Sequence, residues 1–214
     1  MPESNSRAES YRTSIFLNCP FDLAYKPIFE ALVFAAYDCG YQPRCALEID
    51  DGGQVRVEKI IKMIQSCRLG VHDISRTELD AENQLPRFNM PFELGLFVGA
   101  ARFGAAAQKS KMCLILDRER YRFQKFISDI AGQDIAAHKD EADSAIKALR
   151  NWLASIPTRE ALPGGAAIVR RYHAFRSEVP GILEKVQLEA DEVTFADYVN
   201  MVQTWLVEQP RQAR

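Results

Sequence analysis

Apolar and polar positions follow two periods along this chain. Short runs that are almost wholly apolar, rich in β-branched and aromatic residues, recur at 13–18 (TSIFLN), 41–47, 69–71, 111–116 (KMCLIL) and, more weakly, 134–138. Runs of that length bounded by turn residues predict buried strands. Longer stretches with a 3.6-residue period lie between them. Residues 23–39 predict a helix with Pro27 in its opening turns and Gly40 as its C-terminal cap. Residues 54–67 form the clearest amphipathic pattern, with Val57, Ile60, Ile61 and Ile64 on one face and Arg56, Glu58, Lys59 and Lys62 on the other. A short helix is expected over 121–130, and another over 140–156 with Ile146, Leu149, Trp152 and Leu153 inward. Strands alternating with helices predict a parallel sheet covered on both faces. The expected fold class is therefore α/β, a flavodoxin-like doubly wound parallel sheet of about five strands with ligands bound at the strands' carboxyl ends.

The same pattern divides the chain. Residues 1–11 are polar and are expected to be a disordered lead-in, and residues 12–157 form the α/β domain. A linker over 157–165 (PTREALPGG) leads to an α-helical extension over 166–210 that contributes no strand. Its two helices are expected at 166–188, broken or kinked at Pro180-Gly181, and at 194–208. They would pack on the domain or on a second subunit, so a homo-oligomer through the extension is one expectation. The acidic turn 48–53 ends in Gly52-Gly53, a turn signal and a candidate lid.

Composition narrows the function. A formal net charge of -2 with scattered basic residues gives no electrostatic footprint for nucleic acid. No window approaches the roughly 18 to 20 uninterrupted apolar residues of a membrane span, and the polar start (MPESNSRAES) has no signal-peptide core, so a cytoplasmic protein is expected. The five cysteines have no C-x-x-C spacing and sit in or beside apolar runs, which predicts reduced, buried thiols. The phosphate-binding G-x-x-x-x-G-K-[ST] loop, the G-x-G-x-x-G dinucleotide fingerprint and a metal-ligand cluster are all missing from the sequence, so no bound cofactor is expected.

The chemistry concentrates in residues 72–104. From Met90-Pro91 onward the chain is apolar on every helical face, which predicts a buried central helix. Glu93 lies in its first turn, where the helix terminus favours the ionised acid and burial opposes it. An acid among apolar residues is either paired or functional. Glu93 is the candidate catalytic carboxylate, with Asp73, at the end of the third strand, as second catalytic acid. Two carboxylates in unlike environments suit glycosidic cleavage through an oxocarbenium-like transition state. Candidate substrate-binding residues are Asn18, Phe21 and Asp22 after the first strand, Arg44 after the second, and Arg87, Phe88 and Asn89 before the apolar helix. Plainer readings stand beside these. Arg44 and Arg87 could be ion-paired, Phe88 a core plug and Asn89 a helix cap. Tyr25 and His72 read as packing, and His138 and His173 carry no partner pattern.

These segments resemble a known family. FLNCPFD after the first strand is similar to the GPF-type turn of the nucleoside 2-deoxyribosyltransferases. HDIS and then NMPFELG resemble their strand-end Asp and the E-x-G helix that carries the catalytic Glu. The layout is also similar to Toll/interleukin-1 receptor (TIR) domains that hydrolyse NAD, and covers about half the chain. The resemblance implies that Glu93 is catalytic and that Asp73, Asn18, Phe21 and Asp22 line a nucleoside pocket. It implies a nucleotide N-glycosidase, with NAD hydrolysis as the first expectation and a nucleotide or nucleoside as small-molecule partner. It also makes a role in bacterial defence signalling an expectation. The alternatives are a non-catalytic nucleotide sensor that signals or assembles through its helical tail, and a scaffold with a vestigial pocket.

Overall fold

The computed structural model describes residues 2–48, 52–79, 84–157 and 161–211. Five strands form one all-parallel sheet in the order β2-β1-β3-β4-β5: β1 (Ser14–Asn18), β2 (Gln42–Arg44), β3 (Leu69–Asp73), β4 (Met112–Asp117) and β5 (Ile135–Ala137). The sheet has the flavodoxin-like order, in which the crevice opens at the carboxyl ends of β1 and β3. Register holds these ends level, with Asn18 opposite His72 and Asp73 opposite Leu116.

Strand alternation sorts the side chains onto two faces. Ile15, Leu17, Leu69, Val71, Leu114 and Leu116 join the larger core with helices α2 (Lys26–Asp38) and α5 (Ala142–Ser155). Phe16 points the other way, into a smaller core with α3 (Arg56–Ser66) and α4 (Asn89–Phe103). The 121–130 segment forms two short 3-10 turns, Arg122–Lys125 and Ser128–Ile130, and supplies Phe123 to a third cluster with Ile74, Leu94 and Ile115.

Three expectations are corrected here. The lead-in is a helix, α1 (Pro2–Thr13), held at its last turn. The Tyr11 carbonyl accepts from the Arg68 amide at 2.9 Å and its hydroxyl donates to the Ala107 carbonyl at 2.9 Å. One docked aromatic anchors a polar helix that shows no apolar stripe. Second, α6 (Gly165–Val186) runs through Pro180 without a break, and Thr194 caps α7 (Phe195–Glu208) by a reciprocal bond with Asp197. Both helices pack on the domain, because Ile168, Tyr172, Phe175, Tyr198, Val202 and Trp205 are buried in the same core as α2 and α5. The inner faces of the extension thus belong to the chain's own core.

Third, α4 is not buried all round. Glu93, Leu94 and Phe97 face inward, while Phe92 and Phe103 stand exposed on the opposite side. No helix among the described residues is long and apolar enough to cross a membrane. The turn 48–53 lies partly outside the described residues, at 49–51.

Candidate functional site

The site is built around the junction of β1, β3 and α4. Asn18 ends β1 on the α4 side of the sheet and is almost wholly buried. Its side-chain amide donates to His72 Nδ1 at 3.0 Å and to the Met90 carbonyl at 2.9 Å. The first of these bonds leaves the imidazole proton on Nε2. Among the described residues that nitrogen has no hydrogen-bond partner, and the Phe97 ring lies against the imidazole with centroids 4.8 Å apart. Burial lowers the His72 pKa to about 3, so it works as a neutral spacer. Asn18 thus fastens the opening of α4 to the carboxyl edge of the sheet.

Glu93 lies one turn beyond Met90 on the same side of α4. The helix begins at Asn89 with Phe88 at its N-cap and no side-chain capping bond, so Asn89 is not a cap and Glu93 stands beyond the first turn. The pull of the helix dipole fades over that distance. Glu93 is 7% exposed. Burial raises its carboxyl from 4.5 to about 7, with the charge of Arg56, at the start of α3, drawing it part of the way back. Among the described residues, no hydrogen bond or ion pair holds the carboxyl. The competition between dipole and burial, open in the sequence, goes to burial.

Asp73 lies elsewhere. Following His72, it points to the α2 face, opposite Glu93, and is fully buried. Its Oδ2 accepts from the Tyr25 hydroxyl at 2.7 Å, and its Oδ1 accepts from the Ser75 amide at 2.8 Å. His138 Nε2 stands 3.0 Å from Oδ2, while Nδ1 accepts from the Asp140 amide at 3.0 Å. That tautomer leaves the proton on Nε2, close to the carboxylate but without hydrogen-bond geometry to it among the described residues. Tyr25, Asp73 and His138 form a polar cluster sealed from solvent. The structure places the two acids on opposite faces of the sheet, with Asp73 engaged by Tyr25 and Ser75.

The other candidates are mostly engaged. Asp22 accepts from the Tyr25 amide through Oδ1 at 3.0 Å and pairs with Arg76 through Oδ2 at 3.6 Å, which shapes the entry to α2. Phe21 meets Phe29 edge-on, centroids 5.4 Å apart, and lines a cavity of about 120 Å³ with Leu47, Phe195 and Tyr198 on the α2 side. Arg44 pairs with Glu48 at 2.8 Å. Arg87, Phe88 and Asn89 are exposed at the mouth of α4.

Two contributors were missed in the sequence. His138 reads as isolated, although its place directly after a strand was a signal. Arg122 fastens the loop after β3: it donates to the Ile74 carbonyl at 3.0 Å, the Ser75 carbonyl at 2.8 Å and Thr77 Oγ1 at 3.0 Å, and pairs with Asp117 at 2.8 Å. No pattern of period or spacing announces such a clamp. The five cysteines are free thiols, four of them buried. Among the described residues, no group of His, Cys, Asp or Glu could hold a metal ion. No protein-family model matches the chain, and no curated protein matches it.

Proposed function

We propose that the protein cleaves the N-glycosidic bond of a nucleotide, with NAD as the first candidate, and that Glu93 is the catalytic carboxylate. The observation that carries this reading is an acid 7% exposed, unpartnered among the described residues, beside the strand ends where this fold binds ligands. The likeness of FLNCPFD, HDIS and NMPFELG to the deoxyribosyltransferases and to NAD-hydrolysing TIR domains supports it.

The chemistry follows from the electrostatics. An ionised Glu93 has lost most of its water, and among the described residues the charge of Arg56 offsets that loss only in part, so it is destabilised in the free protein. As the bond between ribose C1′ and the base nitrogen breaks, the electron pair leaves with the base and positive charge spreads over C1′ and the ring oxygen. That charge is the missing partner of the carboxylate. The interaction is strongest in the transition state, which is the condition for rate acceleration. Water then adds to C1′ and releases a proton, which a carboxylate with a pKa near neutrality can accept. Asn18 holds α4 at the edge, and the Tyr25–Asp73–His138 cluster with Arg122 holds the loop that leads to it.

The test compares wild type with Glu93→Ala for nicotinamide release from NAD and free-base release from nucleosides. Turnover by wild type alone supports the reading and identifies the substrate class. Equal turnover by both proteins removes Glu93 from the chemistry. Tight nucleotide binding with no turnover by wild type would replace the enzyme with a sensor.

A further inference from the structure

Helices α3 and α4 lie side by side on one face of the sheet, where Ile60, Met63 and Ile64 of the first share the smaller core with Phe97 of the second. Crossover helices of a parallel sheet start at its carboxyl edge, so the two N-termini open there together. Arg56 stands one turn before Ile60, on the line of the buried stripe, as Glu93 stands one turn before Phe97. Side chains tilt toward a helix's N-terminus, so both lean over that edge. The charge of Arg56 is felt at the Glu93 carboxyl, yet the two form no ion pair. Opposite charges thus flank one space without closing it, and the acid on its inner side is 7% exposed with no partner among the described residues. Other arginines near this edge are engaged: Arg44 by Glu48, Arg76 by Asp22, Arg118 by Glu78 and Arg122 by Asp117. Exposed Arg56 has no hydrogen-bond or ion-pair partner among the described residues. The start of α3 is open as well. Val55, at its N-cap, makes no side-chain capping bond, and the amides of Arg56 and Val57 have no acceptor among the described residues. Glu58, the acid of that first turn, stands about 200° round the helix from Arg56.

From this geometry we propose that Arg56, with the two open amides of α3, binds the phosphate of a 5′-phosphorylated substrate, so that the site takes nucleotides in preference to free nucleosides. The inference rests on the reading of Glu93 as the catalytic carboxylate. A guanidinium beside helix N-terminal amides is a donor set that matches a phosphoryl group. In a nucleotide one ribose joins that phosphate to C1′. The ribose then bridges Arg56 and Glu93, and a phosphate held on the first sets C1′ against the second. Binding energy from the unreacting phosphate serves the bond that breaks. Arg44, the arginine nominated from the sequence, is closed off from this role by Glu48.

Two measurements test it. The first is hydrolysis of nicotinamide mononucleotide and of nicotinamide riboside, which differ by that one phosphate. Wild type should favour the mononucleotide. Arg56→Ala should lower kcat/KM for it about tenfold to a hundredfold, mostly through KM, the scale of losing a charge-assisted bond. Turnover of the riboside should be unaffected, and Arg56→Lys should recover part of the loss. Lys62→Ala, which removes an exposed charge elsewhere on α3, should change neither substrate. The second measurement needs no turnover: calorimetric titration of ribose 5-phosphate, with ribose as control, into wild type and Arg56→Ala. The phosphate ester should bind wild type about tenfold or more tightly than the variant. Both Arg56 variants should keep the wild-type circular dichroism, because the side chain is exposed. Equal loss on both substrates overturns the inference and leaves Glu93 to its own test, as does ribose 5-phosphate binding that is absent or indifferent to Arg56. Arg56-dependent binding with no turnover of any substrate would instead remove the catalytic reading and keep the phosphate site.

Discussion

Between pH 4.5 and about 7 the folded chain keeps a proton on Glu93 that the unfolded chain has released, because burial raises the folded pKa. Stability from this group is therefore full below pH 4.5 and is lost as pH rises through 7. The loss is on the order of 2 to 3 kcal/mol. His72 works in the opposite sense: its folded pKa of about 3 lies below the ordinary 6.5, so stability falls as pH drops from 6.5 toward 3. The two slopes oppose each other between 4.5 and 6.5, so the wild-type profile alone reads neither. The difference between Glu93→Gln and wild type isolates the first. Urea unfolding should show the variant equal to wild type near pH 4.5 and gaining on it up to about pH 8. A flat difference would mean that water reaches the carboxyl freely. The burial of Glu93 was legible in the sequence because its neighbours are apolar on every helical face. That Asp73 lies on the sheet face opposite Glu93 was not legible, because one step along a strand reverses the face and the sequence does not fix the register of the two acids.

Close approach sets the constraint where β3 meets α4. A Cβ on Gly70 would stand 2.7 Å from His72 Nε2 and 2.9 Å from the Phe97 ring. Phe97 is pinned in the smaller core and His72 is held by Asn18, so neither yields easily. Gly70→Ala should cost about 1 to 3 kcal/mol in urea unfolding, the usual range for overpacking. Unchanged stability would show that the ring can move aside. Behind β3, Tyr25→Phe removes a donor from the buried Asp73 carboxylate. It should cost about 1 to 3 kcal/mol, where loss of an exposed hydroxyl would cost almost nothing. Most elements could be read from period and turn residues, β2 and the 3-10 turns least well. The α1 helix could not, because a single docked tyrosine and backbone bonds hold it. The outer face of α4 could not either, since an apolar sequence does not say which of its sides is covered.

Strand order followed from the alternation of strands and helices, but the place of the C-terminal helices did not. Linker composition suggested an appendage, yet α6 and α7 close the larger core. Phe34 of α2 stacks on Phe175 at 5.4 Å and meets Trp205 at 5.8 Å, and the Tyr198 hydroxyl donates to the Glu30 carbonyl at 3.0 Å. A chain ending at residue 157 should expose that face of α2 and lose its cooperative thermal transition, with dye-binding apolar surface in its place. A sharp transition in the truncated chain would make the extension separable after all. The central claim concerns chemistry, and it is tested most directly by the initial rate of base release from NAD by wild type and Glu93→Gln, both shown to be folded. The account expects a loss of about a hundredfold or more in the variant, the scale of removing one preorganised charge-stabilising group. Comparable rates in the two proteins would contradict it.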